Sequence, residues 1–447
     1  MTTIIPVVRP FDQSTLQQMR DADPIVQRYR ARFALFDWSG IDPPPTRGPG
    51  RPAHPMSAYL QAALVRISEH HLSTPRWRAY LLDHPLLVLE LGFRPHLDLT
   101  QPYGFNVAKT VPSVRHLNTM LRALDPRLLA SLFEQSVQAL QAEIPGLGEV
   151  VAYDVKHLYA NVKENNFRAY VPERFKKDQQ PANDPDCRLG VKKSTNVVQD
   201  DGSTKEKKEY IWGYGSGVAA STNPVYGDVV LADYTLPFNE NDVTYFLPLY
   251  IQTVAMLSAF PLHIAADAAY DAWYVYQTCA PRGGMAAIPL NQHDHPLYER
   301  DPDGTPHCPI GLRMHPTSQF KHTTGFRAQR YRCPLLYPTP TGEQCVHEQF
   351  RKEKGCVKDI NQEAGGLMRV TLDRDSPLYH VIYNQRTSCE RINSQAKDLG
   401  IERPKARNIR SIRTLNTLIY LTINIKALQK AKQINASLLS FPLPLTG

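Results

Sequence analysis

The chain has 447 residues, of which 42% are apolar and 21% charged, a balance that excludes wholesale disorder. No run of 18 apolar residues occurs, which argues against a membrane-spanning helix, and seven cysteines at this length exclude a disulfide-built scaffold. The net charge of +8 is concentrated: residues 386–432 carry eleven basic and three acidic side chains, a surplus equal to that of the whole chain. Such a block attracts a polyanion, usually a nucleic acid; the alternative is a solvated helix face. Met1–Pro6 has neither the basic start nor the apolar run of a secretory signal, so a cytoplasmic protein is expected.

Residues 1–147 read as helical with proline-rich breaks. One segment spans Asp23–Trp38, and the run Ile41–Pro52 is a linker because its prolines forbid both helix and central strand. Ser57 is expected to cap a helix carrying Leu60, Ala63, Leu64 and Ile67 at helical spacing, and Thr74-Pro75 to open another. Two more helices are expected over Ser113–Leu124 and Pro126–Ile144. At 148 the pattern changes. Val150–Val155, Ile211–Ala220 and Val225–Tyr234 read as strands, followed by a helix from Asp242 to Ser258 and strands at His263–Asp267 and Ala286–Leu290. That order suggests a mixed sheet with covering helices. Residues 157–209 read as a polar, lysine-rich excursion, and residues 292–380 as a second interruption. A helical stretch runs with breaks from Pro377 to Leu438. The expected regions are therefore a helical domain at 1–147, of the size that often reads DNA, a mixed-sheet core at 148–297, a Cys/His-containing insertion at 298–375 and a helical C-terminal part with the basic segment at 376–447.

The most specific pattern is Tyr383, Arg386, Glu390 and Lys397. At 100° per residue these four share one stripe about 60° wide. Leu399, Ile392 and Ala396 lie on the other side. A carboxylate flanked by two cations and a phenol suits phosphodiester chemistry with a bound metal. The plainer reading is an amphipathic helix with an Arg386–Glu390 surface pair. Two strand carboxylates weigh against it. Asp154 lies within one apolar strand and Asp267 ends another, and an Asp so placed must be paired, metal-bound or turned outward. Asp154, Asp267 and Glu390 stand 113 and 123 residues apart. Three strands, a fourth strand and a late helix can bring them to one sheet edge. This is the layout of a ribonuclease-H-like core.

At these residues the chain resembles bacterial insertion-sequence transposases of the DDE class. Tyr383, Arg386, Glu390 and Lys397 meet the subgroup signature Tyr-(2)-Arg-(3)-Glu-(6)-Lys without a gap. Asp267-Ala-Ala-Tyr270 is similar to the family's second-aspartate motif, and Gly50–Pro55, Arg76 to Phe93 and Val111–Ser113 look like its helical N-terminal domain. The resemblance implies that Asp154, Asp267 and Glu390 are catalytic and hold two Mg²⁺ ions, with Mn²⁺ as a substitute. It implies that Tyr383, Arg386 and Lys397 grip DNA phosphates. The basic segment with Arg407, Arg410 and Arg413 is expected to bind DNA as well. Asp271 is the runner-up for the second aspartate. The implied activity is binding of the element's terminal inverted repeats, cleavage of the phosphodiesters there and joining of 3′-hydroxyls to target DNA, with a hairpin route for the second strand in the signature subgroup. The implied partner is double-stranded DNA, with a homodimer in the complex, at the bacterial nucleoid and away from membranes. A metal-dependent nuclease without strand transfer and a non-catalytic transposase-derived DNA-binding protein are the rival readings.

Weaker signals remain. Cys308, Cys333, Cys345 and Cys356 fall within 49 residues and suggest a structural zinc site, although no Cys-x-x-Cys pair is present; scattered reduced thiols are the alternative. Pro49–Pro52 resembles a minor-groove hook or is a plain linker. Trp212 and Trp273 could stack an extruded base or fill the core. Leu415–Leu428 is core or an oligomer face.

Overall fold

The computed structural model describes residues 11–42, 53–198, 204–291, 299–352 and 354–439. The 49–52 hook lies outside them. Eight helices come first: α1 Gln13–Ala22, α2 Pro24–Phe33, α3 Met56–Ser68, α4 Thr74–Asp83, α5 Pro85–Glu90, α6 Val107–Thr110, α7 Val114–Ala123 and α8 Pro126–Glu143. Their starts follow local chemistry. Asp23 accepts from the Ile25 and Val26 amides before Pro24, Ser113 accepts from His116 and Asp125 from Arg127 before the long α8. Ser57 does not cap α3. It lies inside the helix, and Asp42 accepts both its amide, at 3.0 Å, and its hydroxyl, at 2.6 Å.

A six-stranded mixed sheet follows. Its strands are β1 Val150–Tyr159, β2 Arg188–Val198, β3 Thr204–Asn223, β4 Gly227–Pro237, β5 His263–Ala265 and β6 Ala286–Ala287. The order is β2-β3-β1-β5-β6, with β4 also paired to β3. β1 is antiparallel to β3 and parallel to β5. The far half of β3 pairs with β1 and β4. This mixed sheet with flanking helices is compatible with a ribonuclease-H-like domain.

The lysine-rich excursion is a correction to the sequence reading. Part of it is sheet: β2 and the near half of β3 form a hairpin, with Leu189 opposite Trp212 and Val191 opposite Tyr210. Gly213 is required where this hairpin meets β1, because a Cβ there would stand 2.0 Å from the Leu158 carbonyl oxygen. Trp212 is buried and donates to the Arg174 carbonyl, so it serves the fold.

After β4 comes a 3-10 turn at Asp242–Tyr245 and α9 Phe246–Leu257. Tyr245 lies on β3 in a hollow made by two glycines: a Cβ on Gly215 or Gly217 would meet its side chain at 2.1 or 2.7 Å. Phe246 packs edge-on to Tyr153 of β1. A second 3-10 turn at Ala268–Tyr270 follows β5, then α10 Trp273–Gln277.

The second interruption is a separate antiparallel sheet, β7 His315–Lys321, β8 Arg327–Arg332 and β9 Val357–Asn361, with α11 Glu348–Arg351 between the last two. Its small core is Cys308, Met314, Tyr331, Cys356 and Ile360. α12 Ala364–Thr371 anchors it to the main body. Gly365 lets α12 approach α10 so closely that a Cβ would sit 2.3 Å from the Gln277 amide nitrogen. Trp273 packs edge-on to Phe326 of this module.

The C-terminal stretch is α13 Pro377–Tyr383, a 3-10 turn at Asn384–Arg386, α14 Thr387–Asp398 and α15 Ile409–Leu439. α15 is buried along much of its length. Asn416 donates to Ser216 and Thr235, Tyr420 meets Ser216, and Asn424 bonds both the amide and the carbonyl of Val230. Val230 stands where the β3–β4 register slips by one residue, so the asparagine supplies the partner the ladder lacks. The N-terminal helices and the sheet share one apolar core around α15.

Asp233 of β4 faces α15 and accepts from Thr417 at 3.0 Å. Burial pushes its carboxyl up to about 7, from an ordinary 3.8. A raised carboxyl stabilises the fold fully below its unfolded value and loses that contribution as pH rises through its folded value. Asp233→Asn should therefore raise the unfolding midpoint at pH 8 and change it little at pH 4, as read by thermal melts.

Candidate active site

The pairing of β1 with β5 sets the first two acids side by side. Val150 pairs with His263, Val151 with Ile264 and Ala152 with Ala265. Two residues further, the same register makes Asp154 level with Asp267. Asp267 leaves the sheet there and caps the following 3-10 turn, accepting from the Ala269 amide at 2.9 Å. Asp154 accepts from Asn393 Nδ2 of α14 at 2.8 Å. Burial and the neighbouring Asp267 push the Asp154 carboxyl up to about 6.

α13 and α14 present the signature residues. The run is not one helix, because the 3-10 turn at Asn384–Arg386 interrupts it. The stripe survives the break at its first three members. Arg386 donates to Glu390 at 2.7 Å and stacks 5.8 Å over the Tyr383 ring, itself stacked on Tyr379. Asp154 feels the charges of both Arg386 and Glu390. Ile392, Ala396 and Leu399 are buried on the opposite side, as their spacing predicts. Lys397 is paired with Glu402 at 3.4 Å instead of with Glu390.

Asp154, Asp267 and Glu390 thus converge, but Glu390 is turned toward Arg386 and its side chain is 51% exposed. Among the described residues, no three His, Cys, Asp or Glu groups are set to hold a metal ion. The chemistry of the donors nonetheless fits one. They are all oxygens, and two buried polar atoms beside them, the Asn393 Oδ1 acceptor and the Tyr270 hydroxyl, have no hydrogen-bond partner. Such a set suits a hard cation that keeps part of its water.

Sequence reasoning missed three groups here. Burial, with Asp267 and Asp154 adding to it, pushes the carboxyl of Asp242, at the start of the turn before α9, up to about 7. No motif marks it. Lys156, two residues beyond Asp154 on the same face of β1, lies among Lys192, Lys397 and Glu402. Period-two alternation from Asp154 could have found Lys156. Lys192 was hidden in the polar excursion.

Asp271 is not a second candidate for the metal. Its side chain is fully buried, accepts from Arg369 at 2.8 and 2.6 Å and takes the Tyr276 hydroxyl and the Asn291 amide. It ties α12 to the core.

The basic segment divides. Arg407 donates to the Asn161 carbonyl and Arg410 to that of Leu124. Arg413 gives two donors to the Thr235 carbonyl and stacks on Tyr234, which makes it a brace between α15 and β4. A cavity of about 480 Å³ opens between α3, α7 and the connection from α14 to α15. Arg66, Arg122, Lys405 and Arg407 line it, with Asn118 and Asn161, and no acid does.

The zinc expectation fares differently. All four insertion cysteines are free, and Cys356 feels Cys308, Cys333 and Cys345 while its sulfur stands 3.5 Å from His347 Nδ1. The cluster is real, but no three of these groups are set to hold an ion. Buried Cys308 and Cys356 instead fill the module's own core.

The family model for the transposase DDE domain matches residues 191–425, more than half of the chain. The chain belongs to this transposase family. Asp267 and Glu390 lie within the match. Asp154 precedes it and is placed by the strand register and by its hydrogen bond from Asn393. No curated protein matches the transposase. Among its described residues, no helix is long and apolar enough to cross a membrane.

Removing Arg369 would leave the Asp271 carboxylate buried and unpaired. Arg369→Ala should cost the transposase about 3–5 kcal/mol of stability in urea unfolding. Asp271→Asn should also destabilise it, without shifting the Mg²⁺ dependence of any DNA cleavage.

Proposed function

We propose that the chain is an active DNA transposase whose Asp154, Asp267 and Glu390 carry metal-dependent phosphodiester chemistry. The observation that carries the reading is the convergence of Asp154 with both Asp267 and Glu390, on three elements far apart in sequence. Two Mg²⁺ ions, or Mn²⁺ in their place, would activate the attacking oxygen and stabilise the leaving one. Asp154 and Asp267, held by Asn393 and by the Ala269 amide, would be the fixed ligands. Glu390 would complete the set on leaving Arg386, and Arg386 would then have its donors available for a phosphate oxygen, next to Tyr383. Lys397, Lys156 and Lys192 extend this positive surface along the strand face.

The substrate proposed is double-stranded DNA carrying the element's inverted repeats, bound by a homodimer, with 3′-hydroxyl ends joined to a target. The cationic cavity supports a long contact with the DNA backbone. Its lining joins the N-terminal helices to the segment just after the signature helix. A nuclease of the same fold would cut the same DNA and yield no insertions from a supercoiled donor plasmid. A donor plasmid with both element ends therefore tests strand transfer.

Glu390→Gln keeps the size of the side chain and removes its charge. Electrophoretic shift should show end binding retained, while Mg²⁺-dependent cleavage falls by several orders of magnitude. Cleavage within tenfold of the parent would remove Glu390 from the reaction.

Each phosphate contact contributes about −0.9 to the slope of log affinity against log salt. Neutralising Arg122, Lys405 and Arg407 together should flatten that slope by about two to three. Neutralising Arg413 should leave the slope unchanged and lower stability.

A further inference from the structure

The cavity between α3, α7 and the connection from α14 to α15 is larger than a contact with one backbone phosphate needs. Its volume of about 480 Å³ is that of a pocket for a whole small molecule. Arg66, Arg122, Lys405 and Arg407 bring four cations to it, and no acid lines it. Asp184 and Asp186 accept the Asn408 and Ile409 amides at the start of α15 instead.

The protein does not neutralise these cations. Arg122 and Lys405 are exposed and make no hydrogen bond or ion pair among the described residues. Arg407 donates from its Nε to the Asn161 carbonyl at 3.2 Å. Arg66 donates to the His71 and Leu72 carbonyls at 3.0 and 2.9 Å and lies over the Trp77 ring. Burial pushes Arg66 down to about 10, and no carboxylate counters that effect. A cation drawn out of water without a counter-ion is costly. Four of them around one concavity repel one another and focus their field on any anion that enters.

The remaining lining is not ionic. Ile67 and Leu418 are buried, and Leu121 and Leu415 continue the apolar wall. Asn118 accepts the Thr74 hydroxyl at 2.6 Å through Oδ1, which leaves Nδ2 as a donor. The Asn161 amide also lines the cavity. Cations suit a phosphate, and an apolar wall with two amides suits a flat ring with polar edges. The site is separate from the acids. Asn161 lies seven residues beyond Asp154 along β1 and its end, about 20 Å in an extended chain. A phosphate held here is therefore not the one between Asp154 and Glu390.

We propose that this cavity is a nucleotide-binding pocket, with the phosphate on Arg66, Arg122, Lys405 and Arg407 and the base against Ile67, Leu121 and Leu415. The inference deepens the DNA reading above and rests on it only for the source of the nucleotide, which is either a unit of a DNA strand or a free nucleotide.

The probe is thymidine 5′-phosphate, compared with thymidine and with inorganic phosphate, each added to the full chain in EDTA. The nucleotide should raise the melting temperature and bind saturably by calorimetry, and neither of its halves should match it at the same concentration. Arg122→Gln combined with Lys405→Gln should weaken nucleotide binding at least about tenfold. Both side chains are exposed, so the fold is kept. Arg386→Gln, at the acids, should bind within about twofold of the parent. Parent-like binding by the double variant would overturn the proposal, as would equal binding of thymidine or of inorganic phosphate. Displacement of the bound nucleotide by element-end DNA identifies a DNA strand as the source, and binding of that DNA without displacement identifies a free nucleotide. If the double variant flattens the salt dependence of DNA binding while no nucleotide binds, the backbone contact stands and this proposal alone fails.

Discussion

Three residue pairs between β1 and β5 decide where Asp154 and Asp267 stand in this chain. Parallel strands need a long crossover, and here it includes the β2–β3 hairpin, β4 and α9. Within that crossover β3 is itself fixed against β1, from Ala152 opposite Ala220 to Tyr159 opposite Gly213. A slip of one residue would turn Asp154 to the other face of the sheet, toward Tyr245 and Phe246 and away from α14. Neighbouring contacts hold the register. Gly284 lets the chain into β6 run so close that a Cβ would meet the Leu262 carbonyl at 1.8 Å. The Leu262 and His263 amides both donate to the Glu149 carbonyl, just before the paired residues.

The cations around the acids form a second layer of the same design. Arg386 holds Glu390, Lys397 holds Glu402, and Lys156 and Lys192 stand nearby. The protein without DNA thus neutralises its own exposed acids with the side chains that a phosphate would also attract. Both ion pairs are partly solvent-exposed, so each contributes little to stability. Exchange of partners is correspondingly inexpensive in free energy.

Much of this was legible in the sequence. The apolar strands, α9 and the signature stripe rest on local spacing, and local spacing is what a sequence displays. β2 was not legible because Lys192 and Lys193 follow one another in the sequence, which breaks the alternation that announces a strand. The 3-10 turn at 384–386 was hidden because Tyr383, Arg386 and Glu390 keep a common face across it. Ser57 looked like a cap because the true acceptor, Asp42, lies fifteen residues upstream and reaches it only through the fold. Asp242 stood at the start of a helical segment, where an Asp is ordinary, and its neighbours come from two other strands. The cysteine cluster was legible as proximity, and Cys308 and Cys356 also serve the core of the module. Spacing tells which side chains can meet, and the direction of each side chain decides what they form.

Asn424 has a consequence for how the molecule is made. Its amide completes the β3–β4 ladder at Val230 from a helix nearly two hundred residues later in the chain. Asn416 and Tyr420 of the same helix close the buried polar groups of Ser216 and Thr235. During synthesis the Val230 backbone and the buried hydroxyls of Ser216 and Thr235 therefore lack these partners until α15 has been made. A nascent chain stopped before α15 would carry most of the family's matched residues and still lack a finished core, open to chaperones and proteases alike.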